Sequence, residues 1–234
     1  MSKLTLASPH RRSIAAAAVL ALCTQSVWAQ GAPSPAEQQG YGGLHRAALQ
    51  GDLRAIALAP RGALDPRDGH ARTPLHVATF ARRREAVQAL LAAGADPGAL
   101  DADRYDAVTV AAVADDEATL RVLLAGGASA KLVTSRYDGT ALIAAAHLGH
   151  AGVVRQLIAA GAPLDHVNNL HWTALIEAVV LGDGGPRHQA TLQALLAAGA
   201  DHRLADREGR SPLQLARARG YAAMVAMLER AGAK

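Results

Sequence analysis

Cysteine and aromatic residues are scarce in this chain of 234 residues. The sequence contains one cysteine, one phenylalanine, four tyrosines and two tryptophans, and aromatic residues make up 3% of it. A single cysteine, Cys23, excludes a disulfide within the chain. Because hydrophobic residues still make up 50% of the sequence, alanine and leucine must supply its interior. Such side chains are typical of thin helices that pack at short distances.

Most of the chain also lacks an excess of charge of one sign. The formal net charge is +4, but the segment from Met1 to Ala29 contains Lys3, Arg11 and Arg12 and no acidic side chain. Subtracting these three charges from +4 leaves +1 for the remainder. A nearly neutral body lacks the basic surface with which proteins bind nucleic acids, so we expect no nucleic-acid partner.

The N-terminal segment has the order of regions found in secretory signal peptides. A basic stretch ends at Arg12, an apolar run covers residues 14–23, and Val27 and Ala29 occupy the −3 and −1 positions of a cleavage site. The apolar run is roughly half as long as a membrane span. We therefore expect residues 1–29 to be removed, which leaves a periplasmic or secreted chain that is not bound to the membrane. The arginine pair before the apolar run resembles a twin-arginine export signal, with general secretory export as the alternative.

Two sequence markers recur along the rest of the chain with a period of roughly 33 residues. The first is a glycine after a run such as Leu-Leu-Ala-Ala, at Gly94, Gly127, Gly161, Gly199 and Gly232. The second is a Thr, Asp or Ser before an apolar stretch, at Thr73, Asp106, Thr140, Thr173 and Ser211. The period lengthens once for each marker, before Gly199 and before Ser211. Two markers that stay in phase indicate an array of structural repeats.

Each marker has a local structural reason. Thr73 and Ser211 are residues that cap a helix N-terminus, and Pro74 and Pro212 follow at the first helical position, where a missing N–H is harmless. Gln214 also predicts a capping box with Ser211. Glycine ends the second helix because it enters the left-handed backbone region easily. The pattern therefore predicts two helices in every repeat.

The combined pattern resembles the ankyrin repeat, in which Thr-Pro-Leu-His-x-Ala is followed by Gly-His, Val-Val, Leu-Leu and Gly-Ala-Asp. The fourth copy matches from Ala145-Ala146 through Gly149-His150 to Gly161-Ala162. The resemblance implies an all-α solenoid of about six helix-turn-helix repeats with short hairpin fingers. It divides the chain into a signal peptide (1–29), a flexible leader (30–40) and repeats at about 41–67, 68–100, 101–134, 135–167, 168–205 and 206–234.

Three copies depart from this pattern. The first copy is degenerate, as expected of a terminal cap. The third has Asp115-Asp116 in place of Gly-His, which predicts a more polar or frayed turn between its helices. The fifth is longer than the other copies, and its extra residues, around 182–188, are expected to protrude as a loop between its two helices.

The resemblance also implies where a partner binds. Ankyrin arrays usually bind proteins on a concave face, which is built from the fingers and from positions near the end of each first helix. These slots predict partner contacts at Arg72, Phe80, Arg104, Tyr105, Val113, Arg136, Tyr137, His147, Leu148, His171, Trp172, Leu181, Arg207 and Arg210. Trp, Tyr and Arg are the residues that dominate binding energy at interfaces. A row of Phe80, Val113, Leu148 and Leu181 would form an exposed apolar patch. The alternative is that the finger aromatics only pack on neighbouring fingers.

The sequence contains no motif that indicates catalysis, a cofactor or a metal site. Loss of Cys23 with the signal leaves no thiol nucleophile, and serine-hydrolase, zinc-protease and phosphate-loop motifs are missing. His147 and His150 have the spacing of two metal ligands on one helix face, but the repeat pattern already accounts for His150 in its Gly-His turn. The His of Thr-Pro-Leu-His, His76, is expected to form a hydrogen bond within or between repeats.

We therefore expect a non-catalytic, periplasmic protein-binding module that is monomeric alone and takes no cofactor or metal. It would bind one protein partner on its concave face. Two variants stay open, namely an inhibitor or immunity protein of a periplasmic toxin or enzyme and an accessory factor of a periplasmic enzyme. The alternative is an enzyme that acts on small molecules or cell-wall fragments, with Asp183 and His188 of the 182–188 loop as its acid and base.

Overall fold

The computed structural model describes residues 31–234, so the expected signal peptide lies outside the described residues. Within this range no helix is both long and apolar enough to cross a membrane. The helices are α1 (Pro35–Gly40), α2 (Gly43–Gln50), α3 (Leu53–Ala57), α4 (Pro74–Phe80), α5 (Arg84–Ala93), α6 (Ala107–Val113), α7 (Glu117–Ala125), α8 (Ala141–Leu148), α9 (Ala151–Ala159), α10 (Ala174–Val180), α11 (Pro186–Ala197), α12 (Pro212–Ala218) and α13 (Ala222–Arg230). Strands β1 (Val133–Thr134) and β2 (Gly139–Thr140) form an antiparallel hairpin before α8.

From α2 onward the helices form two rows. The first helices of successive repeats pack on one another in the order α2, α4, α6, α8, α10, α12. The second helices do the same in the order α3, α5, α7, α9, α11, α13, and each first helix packs on the second helix of its own repeat. This arrangement is the solenoid of six helix pairs that the sequence spacing predicts.

Small and aliphatic side chains fill the space between the two rows. Ala144, Ala145 and Ala146 of α8 are fully buried, which allows neighbouring first helices to approach closely. The second helices contribute leucines that are equally buried, at Leu90, Leu120, Leu123, Leu157, Leu192 and Leu195. Burial of one such side chain is worth about 1.5–3 kcal/mol. The interior therefore consists of many similar contacts between neighbouring repeats rather than one central core.

The helix starts confirm the capping chemistry read from the sequence. The backbone N–H of Gln214 donates to Ser211 Oγ over 3.3 Å, and that of Ser211 donates to Gln214 Oε1 over 2.8 Å, which is the expected capping box. The hydroxyls of Thr140 and Thr173 accept the backbone N–H three residues later, at 3.3 Å in both cases. Each of these bonds satisfies a donor of the first helical turn that has no partner within the helix.

His76 links two repeats through both of its ring nitrogens. The backbone N–H of Thr73 donates to His76 Nδ1 over 3.2 Å, so the proton lies on Nε2, which donates to the carbonyl of Tyr105 over 2.9 Å. Burial lowers the pKa of His76, which favours this neutral form. The expected hydrogen bond of this histidine is confirmed, and it is made both within its repeat and to the next one.

Asp106 is a buried carboxylate at a position where three other repeats have Thr and one has Ser. It caps α6 by accepting the backbone N–H of Thr109 over 2.8 Å, but burial raises its pKa to about 6. The folded state therefore binds the proton more tightly than the unfolded chain does, and stability is lost as the pH rises through about 6.

Replacing this carboxylate should stabilise the protein near neutral pH. Asp106→Thr keeps a capping oxygen and removes the buried charge, so we expect about 1–3 kcal/mol of added stability at pH 7.5. The gain should shrink towards zero at pH 4, where the buried charge is largely neutralised by protonation. Urea unfolding followed by circular dichroism at the two pH values measures it. Asp52→Thr at the exposed cap of α3 is the control, for which we expect no such gain.

The leader is folded along most of its length, contrary to the sequence interpretation. Ser34 and Glu37 form a capping box that starts α1, with the backbone N–H of Ser34 donating to Glu37 Oε2 over 2.7 Å. Pro33 is buried, and the hydroxyl of Tyr41 donates to Asp68 Oδ2 over 2.7 Å. Residues 33–41 therefore belong to the folded array, because they dock on its first finger.

The turn of the third repeat is also ordered rather than frayed. Asp116 caps α7 by accepting the backbone N–H of Thr119 over 3.0 Å and its hydroxyl over 2.6 Å. Asp115 has a φ of 53°, a left-handed conformation that aspartate tolerates better than most residues. Asp116 thus caps the helix where the fourth repeat has His150, and Asp115 takes the left-handed conformation that Gly149 has there.

Candidate partner-binding surface

Each finger between two repeats has its backbone held by one polar side chain at its first position. In the finger that begins at Asp68, Oδ1 accepts the backbone N–H of His70 and of Arg72, both over 2.9 Å. The same two bonds recur in the other four fingers, with acceptors Asp101, Ser135, Asn168 and Asp206. Such side-chain bonds fix a turn without help from neighbouring structure. This position was not predicted from the sequence, although it lies five residues before the helix cap in each of the five fingers.

The fingers are also bonded to one another. The backbone N–H of Ala102 donates to the carbonyl of His70 over 2.9 Å, and that of Asn169 donates to the carbonyl of Tyr137 over 3.0 Å. Ser135 makes the corresponding bond to Arg104 over 2.8 Å. The side chain of Arg207 reaches the carbonyl of Asn169 over 3.0 Å. The five fingers therefore form one continuous edge. We call this edge, together with the ends of the first helices, the finger face.

Four of the predicted arginines lie exposed on this face. Arg136 pairs with Asp103 of the preceding finger over 2.6 Å, and Arg104 pairs with Asp138 of the following finger over 3.2 Å. Arg207 is exposed, and Arg210 has 54% of its side chain exposed. Exposed ion pairs contribute about 0–1 kcal/mol each. A partner can therefore exchange them for its own contacts at little cost.

Two predicted contact residues are buried, and their assignment to the partner surface is corrected. Arg72 is 2% exposed because Glu37 of α1 and Asp68 enclose its guanidinium, the latter with Nε 2.7 Å from Oδ2. Tyr105 is 4% exposed, and burial raises its pKa above its usual range. For Tyr105, packing against neighbouring fingers, the alternative drawn from the sequence, is the one that its burial supports.

The apolar row at the helix ends is half-buried rather than exposed. Phe80, Val113, Leu148 and Leu181 are all partly covered. Phe80 lines a groove of about 330 Å³ whose other wall includes Pro33 and Gln38 of the leader. The large hydrophobic residues that are exposed among residues 31–234 lie outside the predicted set, at Leu53, Leu58, Val133 and Val167. The prediction of an open apolar patch is therefore wrong, because the four side chains of this row are only partly exposed.

The remaining predicted residues lie near the middle of the finger face. His171 is exposed, and Tyr137 and Trp172 are half-buried. His147 has 10% of its side chain exposed. These residues come from the fourth and fifth repeats, so the structure groups them on two adjacent repeats next to Arg136.

A buried polar cluster beneath these residues was not foreseen. Glu177 of α10 is 1% exposed and occupies a position that is Val77, Val110, Ala144 or Leu215 in the second, third, fourth and sixth repeats. Its Oε2 accepts a hydrogen bond from His147 Nδ1 over 3.1 Å, and its Oε1 accepts one from Asn168 Nδ2 over 3.0 Å. A charged residue in a row of apolar ones is the signal that could have revealed it.

The residues named for the catalytic alternative lie together but serve the fold. His188 Nδ1 lies 2.9 Å from Asp183 Oδ1, while His188 Nε2 lies 2.9 Å from the carbonyl of His147. Both ring nitrogens are thus engaged. His150 Nδ1 donates to the carbonyl of Ala112 over 2.8 Å. Among residues 31–234, no group of three or more His, Cys, Asp or Glu side chains could hold a metal ion.

Comparison with known proteins gives a consistent picture. A family model of three ankyrin repeats matches residues 108–206, and a single-repeat model matches residues 70–102. The putative ankyrin repeat protein YahD of Escherichia coli (strain K12) is 35% identical over 190 residues, covering 80% of this chain and 94% of the relative. An ankyrin repeat domain from Acinetobacter baumannii AYE is 45% identical with a TM-score of 0.76, covering 82% of this chain and 98% of that one. The ankyrin repeat domain of Bcl-3, a member of the IkappaB protein family, is 32% identical with a TM-score of 0.74, covering 83% and 88%.

Fold and finger face together define a helical repeat protein of the kind that presents an extended surface instead of an enclosed pocket. More narrowly, the chain belongs to the ankyrin-repeat family. Ankyrin repeats generally mediate protein–protein interaction, and proteins of this family are typically interaction modules rather than enzymes.

Proposed function

We propose that this protein is an exported, periplasmic binding module that holds one folded protein partner on its finger face. The observation that carries the proposal is the bonded line of fingers, which presents exposed arginines beside the half-exposed Tyr137 and Trp172. Aromatic residues and arginine supply most of the binding energy at protein interfaces. A rigid surface also avoids the entropy that flexible loops lose on binding.

The proposed cellular location rests on the N-terminal sequence. A basic stretch, a short apolar run and small residues before position 30 form the order of a cleaved export signal. The folded array begins at about residue 33, directly after the expected cleavage site. Cleavage after Ala29 would therefore leave the docked leader intact at the new N-terminus.

Inhibition or assistance of a periplasmic enzyme is the role that we assign to this binding. The protein needs no catalytic group, cofactor or second copy for such a role, and we propose that it acts as a non-catalytic monomer. The catalytic alternative has less support. Asp183 and His188 bond to each other, and His188 also bonds to the backbone carbonyl of His147, so both ring nitrogens of His188 are engaged within the protein.

One experiment tests location and surface together. The full chain with a C-terminal tag is expressed in a Gram-negative host, recovered from the periplasmic fraction and analysed with its bound protein. We expect a mature N-terminus at residue 30. Arg136→Glu with Arg207→Glu should reduce recovery of the bound protein at least ~10-fold, the usual effect of losing about 1.4 kcal/mol.

Arg121→Glu with Arg155→Glu reverses two exposed charges on the second helices and serves as the matched control. It should recover the partner as the unmodified chain does. Equal recovery by both double variants would refute the finger face as the binding surface. A cytoplasmic chain that still begins at Met1 would refute the export assignment separately.

A further inference from the structure

The segment inserted in the fifth repeat, residues 182–188, is a contact element rather than a protruding loop, and its last three residues form the first turn of α11. We call it the inserted loop. It lies on the turn of the fourth repeat so closely that a Cβ on Gly149 would be 3.1 Å from the His188 ring and 3.2 Å from Arg187 Cβ. Gly182 is itself buried, and the hydroxyl of Tyr221 in the sixth repeat donates to its carbonyl over 2.9 Å.

The inserted loop also reaches past its nearest neighbour. Arg187 Nη2 lies 3.3 Å from Oδ2 of Asp115, a residue of the third repeat. Solenoid repeats normally contact only the adjacent repeats, so their stabilities are coupled pair by pair. A loop that touches the third, fourth and sixth repeats from the fifth couples four repeats at once.

The strength of this connection depends on His188 rather than on Arg187. The Arg187 and Asp115 side chains are 63% and 46% exposed, and exposed ion pairs contribute little. His188 is 12% exposed and bonds to the carbonyl of His147 and to the carboxylate of Asp183. Its contacts are therefore the ones that hold the loop against α8.

The two acceptors around His188 determine how many protons it must carry. A backbone carbonyl only accepts hydrogen bonds, and so does an ionised carboxylate. Hydrogen bonds from Gly185 and from His188 itself lower the pKa of Asp183, which keeps it ionised. His188 can satisfy both acceptors only with a proton on each nitrogen. Histidine is the side chain whose charge changes between roughly pH 5 and 8.

We propose that the inserted loop is a proton-dependent clasp that ties repeats three to six together when His188 is doubly protonated. Asp183 and Asp115 favour the charged imidazole, while Arg187 and His150 oppose it; Tyr221 contributes its ring and hydroxyl from the sixth repeat. The closed form is fully favoured at low pH. It weakens as the pH rises and His188 loses one of its two hydrogen bonds.

Hydrogen exchange followed by mass spectrometry tests the clasp on the purified protein. Peptides that cover residues 112–118 and 146–152 report the turns of the third and fourth repeats. After correction for the intrinsic pH dependence of exchange, we expect ~10-fold stronger protection at pH 5.5 than at pH 8. Asp183→Ala, at a side chain that is 77% exposed, removes the acceptor that faces His188 Nδ1, so a neutral His188 with its proton on Nε2 keeps its bond to the carbonyl of His147. It should abolish that difference.

Three further variants separate the clasp from general stability. His188→Gln should also remove the pH difference, whereas His171→Asn, at an exposed histidine on a finger, should keep it. Arg187→Ala should reduce protection in residues 112–118 and leave residues 146–152 unchanged. The proposal is overturned if the unmodified protein shows no pH difference, or if Asp183→Ala retains it in full.

Discussion

His147→Val should lower the free energy of unfolding by about 2 kcal/mol, because it leaves the buried Glu177 without one of its two side-chain hydrogen-bond donors. Valine occupies the corresponding position of α6 and α10, at Val113 and Val180, so its shape is already accepted in this row. The loss would therefore come from the missing hydrogen bond rather than from poor packing. Asn168 still donates to Glu177, which keeps the loss from being larger.

The reciprocal change should have a much smaller effect. Glu177→Val introduces the residue found at Val77 and Val110, and it removes a polar group that had to be taken out of water. We expect its stability to lie within about 1 kcal/mol of the unmodified protein, since an apolar side chain of suitable shape can replace a buried hydrogen-bonding group at little net cost. The double variant should resemble Glu177→Val.

Urea unfolding of the unmodified protein, the two single variants and the double variant gives the coupling energy between His147 and Glu177 directly. A coupling near zero, with His147→Val and Glu177→Val equally destabilising, would mean that the hydrogen bond of 3.1 Å has no energetic role. A large coupling would show that the hydrogen bond to Glu177 holds His147 in position on the finger face.

The fold could be predicted because its signals are local. The capping residues, the prolines after Thr73 and Ser211, and the glycines after the second helices each act within a few residues of themselves. Repetition of the same signals then determined the number of helix pairs. The structure of α1 could have been found in the same way, because Ser34-Pro-Ala-Glu37 carries the same capping chemistry.

The candidate site was predictable only in part, because exposure depends on what covers a residue. Trp172 and Arg72 precede their helix caps in the same position, yet α1 buries Arg72 alone. The contacts of the inserted loop could not be predicted either, because Arg187 and Asp115 are 72 residues apart in sequence. Contacts between residues so far apart follow from the stacking and from no local pattern.

Arg72→Ala should lower the free energy of unfolding by about 2–3 kcal/mol, which is the range expected for losing hydrogen bonds to charged groups in a buried site. Its guanidinium bonds to Asp68 and to Glu37, and it is 2% exposed. Although burial raises the pKa of Asp68, hydrogen bonds from Tyr41 and Arg72 outweigh that effect and lower it to about 2. The carboxylate thus stays charged and would lose its cationic partner.

Arg210→Ala is a control that the repeats themselves provide. Arg210 holds the same position in the last finger and bonds to Asp206 in the same way, with Nε 2.8 Å from Oδ2, but its side chain is 54% exposed. We expect a loss below about 1 kcal/mol, because the Arg210 guanidinium is largely in water and the buried Asp206 keeps its two backbone N–H donors. Thermal and urea unfolding of both variants measure the difference. Because α1 is what distinguishes the two sites, equal losses would show that the leader does not dock on the array in solution.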